Sequence, residues 1–239
     1  MIIRKPTAED LPFLSKLWQE AFGDSPEDVE NFHETAFSFE RALVADEAGA
    51  VYWMDVSLSG EKMAYLYAFA VEKACRGKGI GKAILEKALE TLKGEGYAGA
   101  VLVPGEDSLY AYYQKAGFVP FGKTQKRQVE KCAPPMAVKE ILPETYFALR
   151  QKAKPELIWA EEAIAYLGRF CRLYVAENGL LALGRDGVQE FVGNWDALPH
   201  ILYTLNIESV QALAPGENPC AMAYCFEEIA LPDSFAPSF

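Results

Sequence analysis

Histidine and long apolar runs are both scarce in this sequence, and each shortage excludes a class of protein. Two histidines, His33 and His200, occur in the 239 residues, and with five cysteines at no framework spacing they supply no familiar zinc site. No apolar run reaches the roughly 20 residues that span a bilayer. We therefore expect no bound metal, no disulfide framework and no membrane span.

Positive charge is also in short supply. Lysine and arginine number 23 against 34 aspartates and glutamates, which gives a formal net charge of -11. Nucleic acids and anionic membranes attract basic surfaces, so we expect neither as a partner, whereas a cationic acceptor such as an amine is compatible. Residues 1–6 lead straight into strand-like sequence without the shape of a signal peptide, so we expect a cytoplasmic protein.

The most informative stretch, residues 66–92, has the pattern of a strand, a glycine turn and a helix. An apolar run at 66–71 precedes the turn Arg-Gly-Lys-Gly-Ile-Gly-Lys at 76–82, after which apolar residues recur at helical spacing. Such a turn leaves free backbone N–H groups at a helix N-terminus, where the helix dipole favours an anion. The alternative is a helix that merely starts in a basic loop. The glycines and the side chains of Arg76, Lys78 and Lys82 favour phosphate binding.

Two familiar phosphate-binding motifs fail here at specific residues. A Walker loop ends in Gly-Lys-Ser/Thr, but Gly81 and Lys82 are followed by Ala83, which offers no hydroxyl for magnesium. The dinucleotide fingerprint G-x-G-x-x-G needs a glycine three residues after Gly79, where the chain has Lys82. An NTPase loop and a dinucleotide loop are therefore both disfavoured.

What fits is Arg-x-x-Gly-x-Gly, carried by Arg76, Gly79 and Gly81. It resembles the pyrophosphate loop of the GNAT superfamily of N-acetyltransferases, which bind acetyl-CoA. A second element strengthens the resemblance, because residues 113–118, Tyr-Gln-Lys-Ala-Gly-Phe, are similar to the family's Tyr-x-Lys-x-Gly-Phe signature after the fifth strand. The resemblance covers residues 1–131, with a departure at Lys73, where the family often has proline.

The resemblance implies an α/β fold with a mixed α+β sheet, the GNAT-like acyl-CoA N-acyltransferase fold, in a first domain of residues 1–132. Strand-like runs at 41–45, 50–58 and 63–71 predict an antiparallel meander, and 118–129 a closing hairpin. Residues 136–239 predict a second, smaller mixed α/β unit that lacks a CoA-binding loop. Its order of elements suits a degenerate GNAT-like half with a supporting or acceptor-shaping role.

The resemblance also implies roles for individual residues. Main-chain groups where a bulge opens the sheet would pair with the pantetheine arm and polarise the acyl carbonyl; these belong to Phe69, Ala70 and Val71. The CoA pyrophosphate would lie on the backbone of Arg76, Gly77, Lys78, Gly79, Ile80, Gly81 and Lys82. Tyr113 would be the general acid that protonates the leaving thiolate, unless it only packs in the core like its tyrosine neighbours.

The general base and the acceptor are left open. The strand at 66–71 carries no glutamate, the residue that some family members use as a base. Glu106, Asp107 and a water relay with Tyr65 or Tyr67 are alternatives, although Asp107 equally suits a helix cap. Acidic residues of the second predicted helix, Glu27, Asp28, Glu30 and Glu34, would attract an amine if they border its entrance, or else form a solvated face.

The predicted function is N-acetyl transfer from acetyl-CoA, as co-substrate, to a primary amine by direct attack in a ternary complex. The amine would belong to a small molecule or to a protein. The alternative is a catalytically weak CoA-binding regulatory or scaffold module. The pattern encodes neither the identity of the amine nor the oligomeric state.

Overall fold

The computed structural model describes residues 1–233 and divides the chain into two compact units. Unit 1 comprises Met1–Val119 and Met222–Ile229; unit 2 comprises Pro120–Ala221 and the described residues from Ala230 onward. Both mix helices with strands. In the described part of the chain, no helix combines the length and apolarity needed to cross a membrane.

Unit 1 contains a mixed sheet with helices packed on it. Its strands are β1 (Ile3–Arg4), β2 (Ala42–Ala45), β3 (Gly49–Leu58), β4 (Glu61–Val71) and β5 (Gly99–Leu102). Its helices are α1 (Leu11–Phe22), α2 (Pro26–Thr35), α3 (Ile80–Gly94) and α4 (Asp107–Lys115). Strands β1 to β4 pair antiparallel in chain order, and β5 lies parallel to β4. The predicted meander is therefore confirmed, and α3 forms the crossover between the parallel strands β4 and β5.

Helix α2 begins at a capping box formed by Ser25 and Asp28. The Ser25 hydroxyl accepts a hydrogen bond from the Asp28 N–H at 3.2 Å, and the Asp28 carboxylate accepts one from the Ser25 N–H at 3.1 Å. Pro26 occupies the first helical position, where its missing N–H costs no hydrogen bond. One of the four acidic residues predicted near an acceptor entrance, Asp28, is therefore engaged in the helix cap.

Strand β3 is buried on both faces, because side chains alternate between its faces and helices pack on each of them. On β3, Val51 and Trp53 belong to the apolar cluster that includes residues of α3. Tyr52, between them in sequence, lies on the other face, where its ring centroid is 5.3 Å from that of Trp18 on α1 and 5.6 Å from that of Phe32 on α2. This two-sided burial explains the nearly continuous apolar pattern of the strand.

Unit 2 likewise packs helices on paired strands. Its strands are β6 (Val119–Glu130), β7 (Val138–Glu140), β8 (Leu157–Trp159), β9 (Arg172–Ala176), β10 (Gly179–Gly184), β11 (Gly187–Gly193), β12 (Ser209–Pro215) and the first half of β13 (Asn218–Cys225). The second half of β13, from Met222, belongs to unit 1, as does Val119 of β6. Its helices are α5 (Pro143–Ala153), α6 (Glu161–Phe170) and α7 (Leu198–Thr204). The paired order is β6-β12-β11-β10-β9-β7, with β11 and β12 parallel and the other neighbours antiparallel.

The predicted closing hairpin at 118–129 is wrong. Those residues enter the single strand β6, which pairs with β12 from Thr124 to Glu130. The antiparallel neighbour of β5 is instead the second half of β13, in which Met222 pairs with Leu102 and Cys225 with Gly99. The reason for the error is that the alternation of a strand shows which face is buried but not which distant strand lies beside it.

That residues 1–132 and 136–239 form two domains remains a prediction. Relative to them, the compact units place residues 120–132 in unit 2 and residues 222–229 in unit 1. The last six residues of the predicted second domain, 234–239, lie outside the described residues.

Gly99→Ala should destabilise unit 1. A Cβ atom at Gly99 would lie 2.1 Å from the main-chain oxygen of Tyr224 and 3.0 Å from the Cα of Cys225. These are backbone atoms, so the pairing of β5 with β13 must shift, and overpacking of this kind costs about 1–3 kcal/mol. Urea unfolding should show a lower midpoint. The control is Gly105→Ala, whose Cβ would meet nothing within 4 Å, and equal midpoints for the two variants would contradict the close approach of these strands.

Candidate functional site

The turn between β4 and α3 leaves backbone N–H groups free at the start of the helix. Gly77 and Gly79 have φ angles of 75° and 81°, in the left-handed region that favours glycine. Gly79 is the N-cap of α3, and among the described residues no side chain caps this helix end. No acidic residue occupies the first turn either. The first N–H groups of α3 are therefore available to an anion, which the positive end of the helix dipole favours.

Basic side chains surround this helix start unequally. Arg76 donates from Nε to the Val71 carbonyl at 3.0 Å, which ties its guanidinium to the end of β4. The Nζ atom of Lys82 lies 3.7 Å from Oε1 of Glu86, one helical turn further on. This ion pair is exposed, so it restrains the lysine side chain only weakly. Lys78 is exposed. Of these three basic side chains, that of Arg76 is therefore the most firmly positioned.

Strand β4 has a bulge where the resemblance placed one. Ala68 has a φ of 44°, which is uncommon for a residue with a Cβ. Tyr67 lies opposite Tyr52 of β3 and Ala70 opposite Ala50, so that β4 carries one more residue than β3 between these two pairs. The extra residue turns the strand locally and disrupts its pairing.

Strands β4 and β5 part just before this bulge. Their parallel pairing runs from Met63 with Gly99 to Tyr65 with Val101 in the described structure. The strand residues predicted to contact a ligand lie beyond that point, at 69–71. An open strand edge of this kind can pair through its main chain with an extended ligand.

A cavity of about 740 Å³ lies where the turn, the open edge of β4 and helix α4 meet. That volume is in the range of small-molecule sites. The lining includes these residues that the sequence predicted for the site: Phe69, Ala70, Val71, Arg76, Gly77, Gly79, Ile80, Gly81, Lys82, Glu106 and Tyr113. Lys78 and the alternatives for the base, Asp107, Tyr65 and Tyr67, are not part of it. The structure therefore brings the two motifs together, while the role of each residue stays a prediction.

Part of the lining was missed by sequence reasoning. The further residues are Ala21, Phe22, Cys75, Gly105, Leu109 and Tyr112. Phe22, the last residue of α1, is 48% exposed although it is a large apolar ring. Helical periodicity identifies such residues as one apolar face, but it does not separate a face that covers a core from one that covers a ligand.

Tyr113 is buried in unit 1 and yet borders the cavity. It is 7% exposed, and its ring centroid lies 5.6 Å from that of Phe118. Burial raises the pKa of its phenol well above the usual value, so the hydroxyl stays protonated at neutral pH. Its hydroxyl makes no hydrogen bond to the residues that the structure describes. Core packing and an available proton donor are therefore combined in one side chain.

Glu106 is the N-cap residue of α4, although its side chain makes no cap bond. Its carboxylate is exposed and accepts a hydrogen bond from the Ser108 hydroxyl. Asp107, the alternative base, is the first residue of the helix rather than its cap. In residues 1–233, no cluster of three His, Cys, Asp or Glu side chains is arranged to hold a metal ion.

Comparisons with known proteins extend this description. A model of the family described as acetyltransferase (GNAT) domain matches residues 2–121, half of the chain. No curated protein sequence matches. A GCN5-related N-acetyltransferase from Kribbella flavida shares the fold with a TM-score of 0.67 and 17% identity, over 94% of this chain and 70% of that one. A GCN5-related N-acetyltransferase from Anabaena variabilis gives a TM-score of 0.69 and 16% identity, over 93% of this chain and 72% of that one.

Eis1 from Mycobacterium abscessus gives a TM-score of 0.67 and 13% identity, over 90% of this chain and 66% of that one. At such identities the likeness concerns the fold, and it confirms the predicted mixed α/β acyltransferase class. The family match spans both the glycine turn and the tyrosine signature. This chain belongs to the GNAT family of acetyltransferases.

Proposed function

We propose that this chain transfers the acetyl group of acetyl-CoA to a primary amine, which attacks the thioester directly while both are bound. The observation that carries the proposal is the shared lining of one cavity by the glycine turn, the open edge of β4 and Tyr113. CoA joins a diphosphate to an extended amide arm that ends in a thiol. It therefore needs an anion site at one end and a strand-like edge along the arm, and the cavity offers both.

The diphosphate would be held by main-chain donors. The N–H groups of the turn and of the first residues of α3 would donate to its oxygens, and the helix dipole adds to this attraction. Arg76, tied to Val71, places a fixed positive charge at the same wall. The glycines at 77 and 79 supply the left-handed backbone that the turn before α3 requires.

The transfer step would proceed through a tetrahedral intermediate. The amine nitrogen attacks the thioester carbon, and the carbonyl oxygen takes the negative charge. A main-chain N–H near the bulge at Ala68 would stabilise it by about 3 kcal/mol. Collapse breaks the C–S bond, and the leaving thiolate takes the proton of Tyr113. The attacking nitrogen releases its second proton as the amide forms, and that proton restores the Tyr113 phenol. The attacking amine, with a pKa near 10 in water, must first lose a proton. Glu106, exposed at the cavity wall, is the candidate acceptor of that proton.

A cationic amine suits the charge of the chain as a whole. The net charge of -11 favours the approach of a positively charged acceptor. On α2, Glu27 and Glu30 are exposed and add to this field, whereas Asp28 is held in the helix cap.

The proposal is tested by free thiol release from acetyl-CoA across a panel of primary amines, with product mass confirming acetylation. Release that depends on the amine is the expected result. Binding of CoA without thiol release for any amine would instead favour a catalytically weak CoA-binding regulatory or scaffold module. Absence of CoA binding would overturn both.

Tyr113→Phe should lower kcat by about 100-fold, the usual size of a lost general acid, and change the affinity for CoA less than twofold. The fold should persist because the hydroxyl has no hydrogen-bond partner among the described residues. The matched control is Tyr110→Phe, on the same helix but outside the cavity lining, which should leave kcat unchanged. Steady-state kinetics with calorimetry of CoA binding separates the two effects, and an unchanged kcat in Tyr113→Phe would remove the residue from the mechanism.

A further inference from the structure

Tyr112 directly precedes Tyr113 on α4, and both residues line the cavity. A Cβ atom on Gly81 would lie 3.1 Å from Tyr112 Oη. Gly81 is the second residue of α3, in the turn whose N–H groups have no partner within the helix. The phenol of Tyr112 therefore lies against the start of α3.

The space beside Gly81 that this hydroxyl borders is otherwise lined by apolar atoms. The other atoms nearest to that Cβ position are Val71 Cγ2 at 3.4 Å and Phe69 Cζ at 3.8 Å. Tyr112 is half-buried, and no described residue hydrogen-bonds its hydroxyl. Burial and the nearby Glu86 carboxylate raise the pKa of the phenol, so it remains a proton donor at neutral pH. A hydroxyl donor without a partner, beside N–H groups that also lack one, can bind an anion.

We propose that Tyr112 is a binding residue whose hydroxyl donates a hydrogen bond to a diphosphate oxygen of the CoA co-substrate. This inference rests on the proposed function and names a side-chain partner for a site otherwise made of backbone. Gly81 is part of the arrangement, because a side chain there would occupy the space between the phenol and the helix start.

The position of the hydroxyl separates Tyr112 from the transfer step. Gly81 lies beside Val71, the last residue of β4, whereas the bulge that would face the thioester is at Ala68. The ring centroids of Tyr112 and Tyr113 are 5.2 Å apart. The two residues are consecutive on α4, so their side chains leave the helix about 100° apart. One would serve the diphosphate and the other the leaving sulfur.

The test compares Tyr112→Phe with Tyr110→Phe and with the unmodified protein, using two acetyl donors. Acetyl-CoA carries the diphosphate; S-acetyl-pantetheine carries the same thioester arm without it. We expect Tyr112→Phe to raise the Kd and KM for CoA and acetyl-CoA about 10-fold, the size of one lost hydrogen bond to a charged group. Its kcat should stay within twofold. With S-acetyl-pantetheine the kcat/KM of the variant should match that of the unmodified protein.

Three outcomes would overturn the inference. Unchanged affinity for CoA would mean that the hydroxyl does not contact the diphosphate. An equal loss with both donors would assign Tyr112 to packing, and a fall in kcat with both would assign it to the chemistry. Urea unfolding midpoints confirm that the variants are folded. Failure of the unmodified protein to bind CoA would overturn the proposed function itself, and it is seen before any variant is compared.

Discussion

Gly81→Leu should reduce the affinity for CoA by about 100-fold or more, a loss of about 2.8 kcal/mol. The first side-chain atom alone would lie 3.1 Å from Tyr112 Oη and 3.4 Å from Val71 Cγ2. The remaining atoms of a leucine must then extend over the N–H groups at the start of α3, where the diphosphate would bind. Because Gly81 lines the cavity, the substitution fills the ligand's space while α3 itself gains a better helix former.

Gly94→Leu is the matched control for this variant. It makes the same substitution in the same helix, at the opposite end, where a Cβ would meet nothing within 4 Å. Calorimetry should find CoA affinity unchanged in Gly94→Leu. If a folded Gly81→Leu protein kept its affinity within a few-fold, the start of α3 would not be the phosphate site.

The cofactor side of the cavity was predictable from sequence because its parts are local. The turn at 76–82 needs glycines for its backbone and basic side chains for its charge, and both are visible as residue types at fixed spacing. The tyrosine signature at 113–118 is similarly contiguous. The bulge at Ala68 came from family resemblance alone, since no glycine marks it in the sequence.

The rest depends on contacts between residues that are far apart in sequence. The pairing of Met222 with Leu102 joins strands that are far apart in sequence, and nothing within either strand specifies it. The position of Tyr112 against Gly81 depends on how α4 lies over α3, so its sequence pattern equally suited a core residue. Long-range placement of this kind is set by packing, which local propensity does not encode.

Helix α5 was not predicted, and the reason lies in what it buries. Its fully buried side chains are Tyr146 and Arg150, so its inner face lacks the apolar stripe by which amphipathic helices are recognised. Both side chains bind Glu190 of β11. The Tyr146 hydroxyl donates to Glu190 Oε2 at 2.9 Å, and Arg150 donates from Nη2 to Oε1 at 2.7 Å and from Nε at 3.0 Å. A polar cluster here takes the place of an apolar contact.

Glu190→Gln should therefore destabilise unit 2 by about 3–5 kcal/mol, the usual cost of leaving one charge of a buried pair uncompensated. Arg150 and Glu190 are 3% and 4% exposed, so water cannot replace the lost partner. The amide also turns N–H donors toward the donors of Arg150 or Tyr146. Urea unfolding at pH 7 should show a much lower midpoint, with Tyr146→Phe costing only about 1 kcal/mol for its single hydrogen bond.

The double variant Arg150→Met with Glu190→Leu distinguishes charge from packing. It removes both charges at similar side-chain volume, and apolar replacements of buried ion pairs are often neutral or stabilising. The Tyr146 hydroxyl loses its acceptor, at a cost of about 1–3 kcal/mol, so we expect a smaller loss of stability than in Glu190→Gln. Arg150 Nη1 is also buried without a hydrogen-bond partner among the described residues, a cost that methionine removes. If the double variant lost as much stability as Glu190→Gln, shape rather than uncompensated charge would account for the effect. The cluster would then be held by its packing, and its ionic bonds would contribute little to the stability of unit 2.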